Sequence, residues 1–213
     1  MDNKEIFGYI DHTKLSPVST WEEIKQLCTE AITYKTASVC IPPCYIEAVK
    51  ESFPEVRICT VIGFPLGYMT KEAKAFEATD AVTKGADEID MVVNLCHVKN
   101  GQFFEVTNEI KEVKASCRGK TLKVIVEACC LTEDEKIKLC QCVTEAGADF
   151  IKTSTGFGTG GATPADVKLF KEHIGENVKI KAAGGIHTKE EMEEYIGLGC
   201  SRIGASSAVK ALT

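Results

Sequence analysis

A six-residue unit that starts with glycine recurs three times in this chain, and it constrains the fold more than any other feature. In each copy a helix-like pattern ends at the glycine and an apolar, strand-like run follows at once. The copies occupy residues 85–90, 147–152 and 199–204. Glycine commonly ends a helix because it adopts the left-handed conformation without steric cost. Three such transitions with one spacing predict a chain in which helices alternate with parallel strands.

Strand-like segments recur along the whole sequence, as such an alternation requires. They are short, apolar and rich in Val and Ile, which is typical of strands buried on both faces of a parallel sheet. Eight segments fit this description: 9–12, 37–41, 57–62, 88–93, 123–127, 150–153, 179–182 and 202–204.

Signals for the start of a helix lie between these segments. Thr20, Thr132 and Thr188 are each followed three residues later by Glu, the capping-box pattern, and Pro164 occupies a first helical position after Thr163. Eight strands with intervening helices predict a (β/α)8 TIM barrel, formed as a single compact domain over residues 1–213. An open doubly wound sheet is the alternative, but the chain has neither an early Gly-x-Gly-x-x-Gly motif nor a P-loop.

The composition argues against several classes of function. A formal net charge of -6 disfavours nucleic acid as a partner, because phosphate backbones are bound by clustered Lys and Arg. No apolar stretch approaches the length that spans a membrane, and the first seven residues do not form an apolar signal segment. We therefore expect a cytoplasmic protein.

Eleven cysteines are present, and their spacing does not match that of zinc ligands. We interpret them as free thiols in a reducing compartment, many of them buried as small apolar side chains. The cysteines for which the pattern predicts burial are Cys28, Cys40, Cys59, Cys140 and Cys200.

Two lysines near the ends of strand-like runs carry most of the functional information. Lys152 lies in the sixth run and Lys181 in the seventh, and both runs lead into glycines. In a TIM barrel the active site lies at the carboxyl ends of the strands. A lysine is ordinarily charged at pH 7, but burial and a neighbouring cation both favour the uncharged amine, which is a nucleophile. We expect each lysine to disfavour the charge of the other, so that one of them becomes a nucleophile.

The repeated unit also predicts which side chains meet. Its last positions, Asp90, Lys152 and Gly204, would lie at one height, with Asp90 and Lys152 facing inward while the preceding isoleucines face the helices. A carboxylate at Asp90 could stabilise one cation and move protons. A buried Lys–Asp pair that only stabilises the barrel is the alternative, but two lysines and an acid at matched strand ends favour catalysis.

Glycines and hydroxyls that follow neighbouring strands predict a phosphate site. Backbone N–H groups in such turns bind phosphate well, and barrels commonly hold phosphate after strands seven and eight. The candidates are Gly184, Gly185, Gly204, Ser206 and Ser207.

Further polar residues at strand ends are candidates for contacts with a substrate. They are Asp11, Thr13, Thr155 and Gly156. His12 would point to the opposite face and form a structural hydrogen bond, and Arg202 could lie on the surface.

Nine blocks of this sequence together resemble the deoxyribose-phosphate aldolase family. They include Ile-Lys-Thr-Ser-Thr-Gly at 151–156 and Lys-Ala-Ala-Gly-Gly at 181–185, and they follow the family's order over nearly the whole chain. The blocks are 10–13, 38–41, 60–67, 74–78, 85–94, 123–127, 147–157, 181–186 and 204–207. Lys14 and Ser16 depart from the pattern, standing where the family often has Leu and Lys, and Phe157 stands where some members carry a lysine that helps to hold substrate.

The resemblance implies a class I aldolase on a TIM barrel that needs no metal or other cofactor. Such an enzyme reversibly cleaves 2-deoxy-D-ribose 5-phosphate, a step of deoxyribose phosphate catabolism, to D-glyceraldehyde 3-phosphate and acetaldehyde. Lys152 matches the family's Schiff-base lysine, Lys181 the second lysine that keeps the first uncharged, and Asp90 the acid/base aspartate. The glycine and serine candidates match its phosphate site, and a homodimer is common in the family.

Two other functions stay open. A different Schiff-base aldolase on the same barrel would act on a longer sugar phosphate. A catalytically inactive barrel could instead sense a phosphosugar, although the presence of Lys152, Lys181 and Asp90 argues against it.

Overall fold

Eight parallel strands close into one barrel in the computed structural model, which describes residues 1–213. Each strand pairs with the next along the chain, and the first pairs with the last. The strands are β1 (Ile10–Thr13), β2 (Ser38–Ile41), β3 (Ile58–Ile62), β4 (Glu88–Val92), β5 (Thr121–Ile125), β6 (Phe150–Lys152), β7 (Lys179–Ala183) and β8 (Arg202–Ala205). The TIM barrel predicted from the sequence is confirmed, and each predicted strand end lies within two residues of the observed one.

Helices cover the outside of the barrel. They are α1 (Asn3–Phe7), α2 (Trp21–Tyr34), α3 (Ile46–Ser52), α4 (Lys71–Lys84), α5 (Leu95–Lys99), α6 (Phe103–Ser116), α7 (Glu133–Glu145), α8 (Pro164–His173), α9 (Lys189–Gly197) and α10 (Ala208–Leu212). The predicted capping boxes begin α2, α7 and α9. None of the ten helices has the length and apolar character needed to cross a membrane.

The apolar core lies between the strands and the helices. It forms one cluster of 49 buried residues, which includes Ile89, Ile151 and Ile203, the three isoleucines predicted to face the helices. The alternation of side chains then turns the neighbouring positions Asp90 and Lys152 into the barrel. All five cysteines predicted to be buried are buried.

A buried ion pair ties two helices to the end of β4. Lys74 on α4 is fully buried, and its Nζ donates to Glu109 Oε1 on α6 at 2.7 Å and to the carbonyl of Val92 at 2.8 Å. The other oxygen of Glu109 accepts from the backbone N–H of Asn94 at 3.0 Å. Burial lowers the pKa of Lys74 and raises the pKa of Glu109 in spite of their contact, so each depends strongly on the other for its charge.

We predict that Lys74→Met destabilises the protein by about 3–5 kcal/mol, because it leaves the Glu109 carboxylate buried without its cation. Urea unfolding followed by circular dichroism measures this loss. The double variant Lys74→Met/Glu109→Gln should recover part of it, since the amide oxygen still accepts from Asn94. Lys71→Met removes a surface ion pair with Glu112 on the same two helices and serves as the control. Equal losses in Lys74→Met and Lys71→Met would contradict this account.

Candidate active site

A connected network of charged side chains fills the middle of the barrel interior, where TIM barrels usually pack branched apolar residues. Each member forms an ion pair with at least one other member at 3.5 Å or less. The members are Asp11, Glu88, Asp90, Lys123, Lys152, Lys181 and Arg202. Groups of this kind stay ionised in an interior only when they are paired.

Asp90 is the hub of this network. Its Oδ2 accepts from Lys152 Nζ at 2.8 Å and from Lys181 Nζ at 2.7 Å, and its Oδ1 accepts from Lys123 Nζ at 2.8 Å. The Cys59 thiol also donates to Oδ1, at 3.2 Å. Burial by itself would raise the pKa of Asp90, but the ammonium groups of the three lysines outweigh it and hold the pKa well below its usual range. Asp90 is therefore a carboxylate that three cations share.

Lys181 is a buried cation paired with two carboxylates. It is fully buried and donates to Asp11 Oδ2 as well as to Asp90. Burial would lower the pKa of Lys181, but the two carboxylates outweigh burial and raise it. The net effect is a raised pKa of Lys181, because the two carboxylates dominate over burial and over the Lys123 ammonium.

Lys152 occupies a different position although its backbone pairs directly with Lys181. It is 3% exposed and lines a cavity of about 590 Å³ at the carboxyl ends of β6, β7, β8 and β1. Asp90 and Lys181 are both 0% exposed, and neither lines this cavity. Of the three residues predicted to carry the chemistry, Lys152 alone presents its amine to a ligand.

Burial and access to the cavity separate the three residues. Lys152 is the last residue of β6, whereas Asp90 and Lys181 are each third of the five residues of β4 and β7. Asp90 and Lys181 are fully buried, and only Lys152 lines the cavity.

Three network members, Glu88, Lys123 and Arg202, were not recognised as functional from the sequence. Lys123 on β5 is fully buried, and its Nζ lies 2.6 Å from Glu88 Oε2 as well as 2.8 Å from Asp90. Arg202, expected on the surface, has a side chain only 13% exposed that donates to Asp11 and to both oxygens of Glu88. The alternation of side chains along a strand could have found them: all three alternate with core residues of their strands and so face inward.

Most residues predicted to bind substrate or phosphate line the cavity, but two do not. Those that line it are Thr13, Thr155, Gly156, Gly184, Gly185, Gly204 and Ser206. Ser207 instead donates from Oγ to the carbonyl of Ile186 at 3.3 Å. Asp11 is fully buried beneath the cavity, where it accepts from Lys181, Arg202 and Ser38, and we therefore assign it to the support of Lys181 rather than to the cavity wall.

Gly204 makes room for the catalytic layer. A Cβ atom at this position would lie 2.9 Å from Ala183 Cβ and 3.2 Å from Lys181 Cε. A side chain there would press on the lysine whose position depends on contacts with Asp11 and Asp90. The glycine of the third repeat therefore has a packing role beside its place in the cavity wall.

The rim of the cavity is braced by contacts between loops. Glu127, which follows β5 in the left-handed conformation (φ 51°), accepts from the backbone N–H of Thr155 at 3.2 Å and from its hydroxyl. Phe64, in the turn after β3, meets Phe157 edge to face with ring centroids 5.3 Å apart. His12 points away from the barrel interior, as predicted, and contacts Glu30 at 2.7 Å.

The interior also holds a cluster of possible metal ligands, formed by Cys40, Cys59 and Asp90, whose donor atoms lie within 4.8 Å of one another. The Lys123 ammonium lies 3.2 Å from the Cys59 sulfur and 2.8 Å from Asp90. A metal ion at this place would face that cation directly. The donor set therefore does not fit a metal centre.

Comparison with known proteins agrees with this geometry. Residues 5–209 match the family described as DeoC/LacD family aldolase. The chain belongs to this family. It is 56% identical over 213 residues to a deoxyribose-phosphate aldolase of Clostridium botulinum, strain Alaska E43, covering 100% of this chain and 96% of the relative. It is 55% identical over 210 residues to a deoxyribose-phosphate aldolase of Clostridioides difficile, strain 630, covering 98% of this chain and 96% of the relative.

A solved aldolase has the same fold. The deoxyribose phosphate aldolase from Aeropyrum pernix, described as a unique tetrameric structure, superposes with a TM-score of 0.89 at 33% identity, over 99% of this chain and 91% of that one. The resemblance to the deoxyribose-phosphate aldolase family that the sequence motifs predicted is therefore confirmed. As an aldolase, this member of the DeoC/LacD family is a carbon–carbon lyase.

We predict that acid weakens the fold through the interior carboxylates. Asp11 and Asp90 both have a pKa below the ordinary 3.8, because the surrounding cations outweigh burial. Below pH 4 the unfolded chain therefore binds more protons than the folded one, so the stability that these groups contribute is complete above about pH 4 and is lost as the pH falls through their folded values.

Urea unfolding from pH 6 to pH 3 measures this effect. The free energy of unfolding should fall below about pH 4, and it should fall less steeply in Asp11→Asn. The exposed Asp134→Asn should follow the wild type. An identical pH dependence in Asp11→Asn and the wild type would show that the interior carboxylates do not govern acid stability.

Proposed function

We propose that the protein reversibly cleaves 2-deoxy-D-ribose 5-phosphate to D-glyceraldehyde 3-phosphate and acetaldehyde through a Schiff base on Lys152. The observation that carries the proposal is that the Lys152 amine faces the cavity while sharing Asp90 Oδ2, at 2.8 Å, with the buried Lys181 ammonium. The relatives named deoxyribose-phosphate aldolase, similar over the full chain, support the choice of substrate.

The first stage joins the substrate to the enzyme. The uncharged Lys152 amine attacks the C1 aldehyde carbon, and the resulting carbinolamine loses water to form an iminium ion. The Lys181 ammonium donates a proton to the departing hydroxyl by way of Asp90 Oδ2, which contacts both lysines, and Lys181 is left as the amine that accepts a proton in the next stage. Asp90 relays a proton rather than storing it, since its pKa lies well below the usual range.

The second stage breaks the bond between C2 and C3. Its electron pair moves to the iminium nitrogen and forms an enamine, while the C3 hydroxyl loses its proton through a water to Asp90 and Lys181, and D-glyceraldehyde 3-phosphate leaves. Protonation of the enamine at C2 and addition of water then release acetaldehyde and restore the amine. The chemistry needs no metal, because the iminium is the electron sink.

The phosphate binds within the same cavity in this proposal. Gly184, Gly185, Gly204 and Ser206 line it and offer backbone N–H groups and a hydroxyl to an anion. Thr13, Thr155 and Gly156 also line it and suit contacts with the sugar hydroxyls. We infer a cytoplasmic enzyme that does not use a membrane or nucleic acid as a partner, in keeping with its net charge of -6. We also infer a homodimer.

We predict that borohydride reduction in the presence of acetaldehyde adds a two-carbon mass to Lys152, located by peptide mass spectrometry. Lys152→Ala should lose both the adduct and turnover while its urea midpoint stays close to the wild type, because the side chain lies at the end of its strand. Lys179→Ala, which removes an exposed lysine of β7, is the control and should keep both. An adduct on another lysine, or none, would contradict the mechanism.

A coupled assay for glyceraldehyde 3-phosphate tests the substrate. Turnover of deoxyribose 5-phosphate should be the same with and without a chelator, and a loss of activity on chelation would contradict metal-free chemistry. Acetaldehyde should also surpass dihydroxyacetone phosphate as the enamine donor in the reverse direction. The opposite preference would indicate an aldolase for a longer sugar phosphate, and tight binding without turnover would indicate a phosphosugar sensor.

A further inference from the structure

The cavity above Lys152 is built for an anion. Seventeen residues line it, and no carboxylate side chain is among them. Its basic side chains are Lys14, Lys152 and His187, and the remaining residues are apolar, hydroxyl-bearing or glycine. A phosphate monoester carries close to two negative charges at neutral pH. The charged side chains of the wall are therefore all basic, as a phosphate ligand requires, but they are few.

The basic side chains are not equivalent for binding phosphate. Lys152 bonds to the carbon of the substrate in the proposed mechanism and is held towards the barrel interior by Asp90. Histidine is in general a weaker source of positive charge than lysine near neutral pH. Lys14 is the lining lysine that is uncommitted to the chemistry.

Lys14 is anchored at its backbone and movable at its tip. It directly follows β1, and its backbone N–H donates to the carbonyl of Cys40 at 2.9 Å. Its Nζ pairs with Glu23 Oε1 at 2.7 Å, and the two side chains are 33% and 45% exposed. Exposed ion pairs of this kind are weak. An incoming dianion therefore competes readily for the ammonium.

Glu23 keeps its other hydrogen bonds when the Lys14 ammonium leaves it. Its other oxygen, Oε2, accepts from the backbone N–H of Thr20 at 2.8 Å, and its own N–H donates to the Thr20 hydroxyl at 3.3 Å. This capping box holds the Glu23 side chain at the start of α2 whether or not the lysine is present. Glu23 thus acts as a fixed resting place for the Lys14 ammonium beside the cavity.

We propose that Lys14 is the residue that selects phosphorylated substrates: its ammonium leaves Glu23 and pairs with the phosphate. This assignment rests on the proposed function, and it adds a specificity determinant to a site otherwise made of backbone N–H groups and hydroxyls. A single lysine acts as a point charge without the two-pronged geometry of arginine. It therefore favours the charge of the ligand more than a particular orientation.

The test compares two substrates that differ by the phosphate. Lys14→Met should lower kcat/KM for deoxyribose 5-phosphate by about 10- to 100-fold, the effect of losing a hydrogen bond to a charged group, mainly through KM. For unphosphorylated 2-deoxyribose the change should stay below about twofold. Lys14→Arg should keep most of the preference for the phosphate. Rising salt should weaken that preference in the wild type more than in Lys14→Met, because exposed charges are screened.

Glu23→Gln is the matched control. The amide keeps the capping box and removes the resting partner of Lys14, so the preference for phosphate should equal or exceed that of the wild type. The assignment is overturned if Lys14→Met affects both substrates equally or neither, or if Glu23→Gln loses the preference as Lys14→Met does. The last outcome would mean that the ion pair only shapes the loop.

Failure of the proposed function has a different signature. In that case the wild type cleaves neither substrate, and no rates can be compared between the variants. Isothermal titration with inorganic phosphate then decides on Lys14 separately. The wild type and Lys14→Arg should bind phosphate, and Lys14→Met should bind it about tenfold or more weakly. Equal affinities would refute the role of Lys14 whatever the reaction is.

Discussion

The sharing of one carboxylate by three lysines is the interaction on which the rest of the structure depends. Asp90 accepts from Lys123, Lys152 and Lys181 in the middle of a barrel from which water is nearly excluded. None of these groups is stable there alone, because a buried charge without a partner costs several kcal/mol. Each strand that contributes a charge is therefore held in register with the others, and the closed sheet and the network specify one another.

Access to the cavity gives the members of this network different roles. Asp90 and Lys181 are fully buried and do not line the cavity, whereas Lys152 has the carboxylate on one side and the cavity on the other. The same contact that orients its amine also links it to a cation that can supply protons. The geometry thus gives a nucleophile and a proton relay from two lysines of which only one reaches the cavity.

The sequence determined the architecture more completely than the site. The glycine-phased repeat, the capping boxes and the apolar runs depend on local periodicity, which is why the strand ends were predicted within two residues. The alternation of side chains along a strand likewise predicts that Asp90 and Lys152 face inward. This alternation does not show how far a side chain lies from the cavity, however, because that distance depends on the stagger of eight strands around the closed barrel. Asp11 was misplaced for that reason, whereas Lys123 and Arg202 were missed although the alternation along their strands turns them inward.

The charged side chains inside the barrel serve the chemistry rather than the stability of the fold. Replacing a buried ion-pair network with well-packed apolar residues is often neutral or stabilising, whereas removing one partner is strongly destabilising. A barrel selected for stability alone would place Leu, Ile or Val at the positions of Asp90, Lys123 and Lys181, as TIM barrels commonly do. Here the apolar core between strands and helices supplies the stability, with 49 buried residues in one cluster. That outer core allows the inner layer to hold charges in the arrangement that an amine nucleophile needs.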